Sequence, residues 1–110
     1  MNTNTADRAI TIINTVQNYA RARKNLLASI NKWAAFSEDI ELERAGVRCK
    51  CAPIVGRMEV EAIEEAEGDA EEFIKAHAAM EAFGLQTYPA LLRLAENVRD
   101  GGLYKNSRSH

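Results

Sequence analysis

Between Arg57 and Gly84 the apolar residues keep one helical phase for 28 residues, and that stretch limits the chain to a narrow set of folds. Val55, Met58, Ala62, Ala66, Ala70, Phe73, His77, Met80 and Gly84 recur in steps of three and four. Such spacing lines one face of a 3.6-residue period. Ile63, Ile74 and Ala78 widen the stripe, as a core-facing helix requires. Glu59, Glu61, Glu64, Glu65, Glu67, Asp69, Glu71 and Glu72 are expected on the other side. Glu71 precedes Lys75 by four residues, the favourable order for a helical ion pair. Gly68 costs about 1 kcal/mol relative to alanine in a helix interior. The phase is nevertheless kept across it, so a continuous helix is expected rather than a break with Asp69 capping a second one.

A helix this apolar needs a partner. The segment from Thr5 to about Ala35 supplies one. Ile12, Tyr19, Leu26 and Trp33 fall seven apart; Ile13, Ala20, Leu27 and Ala34 repeat the spacing one residue along. Val16, Arg23 and Ile30 form a third row. A face of that breadth suits a helical bundle better than a two-stranded coiled coil. Thr5 is the expected N-cap, with Asp7 in the first turn where the helix dipole favours an acid. Ser37 is a second cap candidate, starting a short helix that Gly46 would stop; the alternative is a first helix that runs on through Ser37.

Val47 to Pro53 is the least helical stretch, and Pro53 fits the first turn of the long helix. Beyond Gly84, Thr87 or Tyr88 precedes a helix opening at Pro89, with Leu91, Leu92, Leu94, Ala95 and Val98 as its apolar face and Gly101-Gly102 as its end. Residues 1–5 and 103–110 read as mobile tails. The 110 residues are thus expected to form one all-α domain, a bundle of three to four helices with two long antiparallel members.

No apolar run is long enough to span a membrane and the N-terminus lacks a signal-peptide core, so a cytoplasmic protein is expected. Cys49 and Cys51 are separated by a single residue, too close for an unstrained disulfide, and read as reduced thiols in a connector. With His77 and His110 they make a poor zinc set. His77 lies on the apolar stripe, where a core histidine is the ordinary outcome and a proton switch or general base the functional one.

Charge is unevenly spread although the net is −2. Residues 1–36 hold five bases and one acid (+4), residues 37–81 thirteen acids and five bases (−8), and residues 82–110 four bases and two acids (+2). Arg21, Arg23 and Lys24 could touch phosphates, but three bases in an acidic chain make direct nucleic-acid binding a minor reading.

Glu38 and Glu41 share one helical face, and Glu65 and Asp69 another. Two carboxylates from each of two helices suit Mg²⁺ or Mn²⁺. The layout resembles the MazG-type all-α nucleoside triphosphate pyrophosphohydrolases, whose hallmark is Glu-x-x-Glu on one helix and Glu-x-x-Asp on the next. Glu38 and Glu41 match the first half; in the second, Ala66 stands three residues before Asp69 and Glu65 stands four before. That resemblance, over roughly residues 33–86, implies a metal-dependent oligomeric enzyme cleaving nucleotide triphosphates.

No nucleophile motif, phosphate loop or complete metal set accompanies these acids. The leading expectation is a small non-enzymatic protein-binding module, adaptor or inhibitor, with no cofactor. It would meet a partner's basic surface through Glu59, Glu61, Glu64, Glu65, Glu71 and Glu72, and self-association is a further expectation.

Overall fold

The computed structural model describes the backbone of residues 2–44 and 52–104 and the side chains of residues 4–38 and 57–104. It is all-α. Helix α1 (Asn2–Arg44) and helix α2 (Ala52–Ala82) form a long antiparallel hairpin, and helix α3 (Pro89–Arg99) packs against α2. The fold is the expected small bundle with two long antiparallel helices.

The first helix is longer than expected at both ends. It begins at Asn2, so Thr5 lies inside it rather than capping it and residues 2–5 are helical. It also runs through Ser37 without a break. The reason is the absence of any glycine or proline between Asn2 and Arg44. A serine in a helix interior costs only about half a kcal/mol relative to alanine. Ending the helix there would leave four backbone carbonyls without intrahelical partners.

Helix α2 is continuous across Gly68, where an added Cβ would meet nothing within 4 Å. Pro53 is its second residue, as expected. Ala62, Ala66, Ala70, Phe73, His77 and Met80 are buried on one face, while Met58 is 40% exposed and Ala78 is also exposed. The helix stops in a Schellman motif: the Leu85 N–H donates to the Met80 carbonyl (3.0 Å) and the Gly84 N–H to the Glu81 carbonyl (2.9 Å). Gly84 sits at φ +66°, the left-handed region that a glycine enters without steric cost.

The α1 face turned to α2 is not the one the seven-residue rows suggested. Tyr19 and Leu26 are buried, with Trp33 packed against the core. Their companions, however, are Thr15, Ala22 and Ser29, all buried, and not Ile13, Ala20, Leu27 and Ala34, all exposed. Thr15 is tolerated there because its hydroxyl donates to the Thr11 carbonyl (2.8 Å). Ser29 donates to the Asp69 carboxylate on α2.

Helix α3 starts as expected at Pro89, with Tyr88 as N-cap residue. The Tyr88 carbonyl accepts the first bonds, from Leu91 N–H (3.0 Å) and Leu92 N–H (3.1 Å). Ala95 and Val98 are fully buried, whereas Leu94 is 36% exposed. The expected C-terminal tail is corrected at its start. Residues 102–104 are helical, Leu103 is buried at 5% exposure, and Tyr104 packs against the core. A pair of glycines makes the preceding turn: Gly101 is at φ +89°, and a Cβ on Gly102 would lie 2.7 Å from the Asn97 carbonyl oxygen. That tight turn carries the apolar Leu103 back onto the bundle instead of releasing it.

Candidate partner-binding face

The acidic residues of α2 divide into three groups, which their sequence spacing does not separate. Glu59 is buried at 8% exposure and lies on the same side as Ala62, Ala66 and Phe73. It is therefore removed from the outward face on which it was expected. The angular step explains this: Glu59 is three residues before Ala62 and seven before Ala66, squarely on the stripe.

The second group links the two long helices. Asp69 accepts from Ser29, and the Lys32 ammonium lies 3.0 Å from the Glu65 carboxylate. Both pairs join α1 to α2 along one edge of the hairpin. The Lys32–Glu65 pair is half exposed on each side, so it is worth no more than about 1 kcal/mol. Its geometry still matters, because it occupies Glu65.

The third group lies at the surface, with Glu72 at the rim of the groove between α1 and α2. Glu61, Glu64, Glu71 and Glu72 are all exposed, on consecutive turns of α2 with Gly68 between them. Lys75 adjoins them, 3.7 Å from Glu72 rather than paired with Glu71 as the i,i+4 spacing suggested. Glu67 flanks this strip on the side of Ile63, Ala70 and Ile74. Partial burial, with Glu64 adding repulsion, raises its pKa above the usual carboxylate range. Across the gap to α3, Arg99 is held in its charged form by Asp100 first, with Glu96 and Glu71 adding to it.

The other sequence candidates are placed as follows. Arg23 does not reach outward; its guanidinium lies over the Tyr88 ring, 5.1 Å from the centroid. Tyr88 in turn stacks on Tyr19 (6.1 Å, 10° between planes) and donates its N–H to the Tyr19 hydroxyl oxygen (2.9 Å). That is why a cation interrupts the apolar rows of α1: it clamps the start of α3. Arg21 donates to Asn18, and Lys24 is exposed, so the three bases do not form one phosphate-facing set.

Glu65 and Asp69 sit one turn apart on α2, but Glu38 is apart from both. Lys32 marks the level of Glu65 on α1, and Glu38 lies six residues further, about 9 Å of helical rise. Glu38 is exposed, and the side chain of Glu41 lies outside the described residues. Among the described residues no three His, Cys, Asp or Glu side chains gather as a metal site would need. Cys49, Cys51 and His110 lie outside the described residues.

His77 is buried at 3% exposure between Phe73 and Tyr19, at 6.2 and 6.1 Å between ring centroids. Its Nε2 faces the Glu81 carboxylate at 3.6 Å, and its Nδ1 has no hydrogen-bond partner among the described residues. Among the described residues no serine hydroxyl bonds to it. Sequence reasoning missed Ser29 and Lys32 as bridging residues, and the bond between Tyr19 and Tyr88. Each rests on a contact between segments 33 to 69 residues apart, for which a single sequence carries no signal.

No family model matches this chain, and no curated protein or solved structure matches it either. No helix among the described residues is long and apolar enough to cross a membrane.

Proposed function

We propose that the protein is a small helical binding module, an adaptor or inhibitor, whose outward α2 strip docks on a basic surface of another protein. One observation carries this reading. The acids that serve the fold (Glu59, Glu65 and Asp69) are separate from four exposed ones, Glu61, Glu64, Glu71 and Glu72, which make no bond to α1 among the described residues, Glu72 standing at the rim of the groove between the two helices. A strip of one sign, on a helix held rigid along its other face, attracts a complementary surface at long range and fixes its orientation.

The test is charge reversal. Glu61→Lys, Glu64→Lys and Glu72→Lys together should abolish capture of the partner recovered with the wild-type chain, with circular dichroism unchanged. Binding by the wild type should weaken steeply between low and physiological salt. Capture that survives the triple reversal would remove this strip as the contact.

A further inference from the structure

Helix α1 carries a second apolar seam, which the hairpin does not use. Ile13, Ala20 and Leu27 fall seven residues apart on its outer side, with Ile10 and Val16 beside them. Ile10 and Ile13 are 55% and 54% exposed, Val16 43% and Leu27 40%. Helix α3 leaves this seam open, because it packs chiefly on α2.

We propose that the seam is a self-association surface on which two copies pair α1 against α1 in antiparallel fashion, with Ala20 of each on the two-fold axis. Both the order of the residues and their charge select this arrangement. With Ala20 opposite Ala20, Ile13 meets Leu27 at either end, large against large, and the small central pair lets the helices approach. In this register Lys24 lies opposite Val16, which its stem can cover while its ammonium stays in water, and Arg23 is drawn aside onto the Tyr88 ring.

The competing registers fail on charge or area. A shift of one heptad that sets Ala20 against Leu27 puts Ile13 against Ala34, so no two large side chains of the seam meet. A parallel pair sets Lys24 against Lys24. A shift the other way, setting Ile13 against Ala20, leaves Leu27 opposite Ala6. A two-fold contact is self-complementary by construction, which suits a seam that reads nearly the same from either end. The α2 strips stay outward at the two edges of such a pair. The proposal stands independently of the acidic-face reading, since it uses α1 alone.

The experiment is molar mass by light scattering and sedimentation on the full chain. The wild type should show twice its 12.2 kDa. Ala20→Glu and Ala20→Lys should each be monomeric with unchanged helicity, since Ala20 is exposed and its side chain is not part of the core. An equimolar mixture of the two should recover the doubled mass. Ile13→Glu mixed with Leu27→Lys separates antiparallel from parallel pairing. In the antiparallel pair the introduced charges meet once and the native Leu27–Ile13 contact remains at the other end, so the doubled mass returns. A monomeric wild type at millimolar concentration would overturn the proposal. So would a doubled mass that persists in Ala20→Glu, or a failure of the Ile13→Glu and Leu27→Lys mixture to associate.

Discussion

The two flanks of the α1–α2 hairpin close by different chemistry. On one flank α3 lies over the seam and the contacts are aromatic and aliphatic: Tyr19 against Phe73 at 5.1 Å, Tyr88 stacked on Tyr19, and Ala95, Val98 and Leu103 buried. On the other flank no helix among the described residues covers the seam. A groove of about 480 Å³ runs there, floored by Ala22, Ala76 and Ala79, and its neighbouring stretch is bridged by Ser29–Asp69 and Lys32–Glu65. Apolar burial supplies free energy in proportion to area but tolerates sliding. A hydrogen bond to a carboxylate supplies less and tolerates almost none. The covered flank therefore sets how stable the hairpin is, and the open flank sets which residue of α1 faces which residue of α2.

Three substitutions can break or sharpen that division. Phe73→Ala empties the centre of the covered flank, where Phe73 is fully buried. It should cost about 3–5 kcal/mol, read as a large fall in urea midpoint. A loss under about 1 kcal/mol would mean that the aromatic cluster is not the main source of stability.

Ser29→Ala removes one link of the open flank and leaves Asp69 without its donor. A loss of about 1.5–3 kcal/mol is expected, the range for a bond to a charged acceptor. If Ser29→Ala costs as much as Phe73→Ala, the division of labour fails.

The smallest effect concerns Glu67, at the margin of the covered flank. Its pKa is raised by burial and then by Glu64, so the folded chain holds that proton more tightly than the unfolded chain. The stability this proton confers is complete below the unfolded pKa and is lost as pH rises through the folded value. Glu67→Gln should therefore raise the thermal midpoint at neutral pH and leave it unchanged in acid. An equal effect at both pH values would locate the change in packing rather than in charge.

The division also explains what could be read in advance. The α2 stripe from Ala62 to Met80 was legible because one apolar phase has only one partner face to choose. The start of α3 was legible because Pro89 has few other places to go. Helix α1 was harder: three adjacent apolar rows compete, and beside Tyr19 and Leu26 of the first the chain buries a fourth row, Thr15, Ala22 and Ser29, that belongs to none of them. Polarity argued against that row, and only the hydroxyl bonds of Thr15 to Thr11 and of Ser29 to Asp69 make it acceptable. The second of these spans 40 residues and has no local signature. The same holds for the acids. Glu59, Glu65 and Glu61 are alike as letters, yet one is buried, one is paired with Lys32 and one faces water. Leu103 was misread because a polar neighbourhood outweighed one leucine, whereas the Gly101-Gly102 turn returns it to the core.

The continuity of α1 gives the molecule an unusual hydrodynamic character. The particle measures 68 by 19 by 16 Å, with a radius of gyration of 18.2 Å. A compact chain of this length would have about 13 Å. A rod of this kind drags more solvent per unit mass than a ball, so it leaves a sizing column early and reorients slowly about its short axes. Its transverse and longitudinal nuclear relaxation should therefore differ between N–H bonds lying along α1 and those in the 84–88 turn.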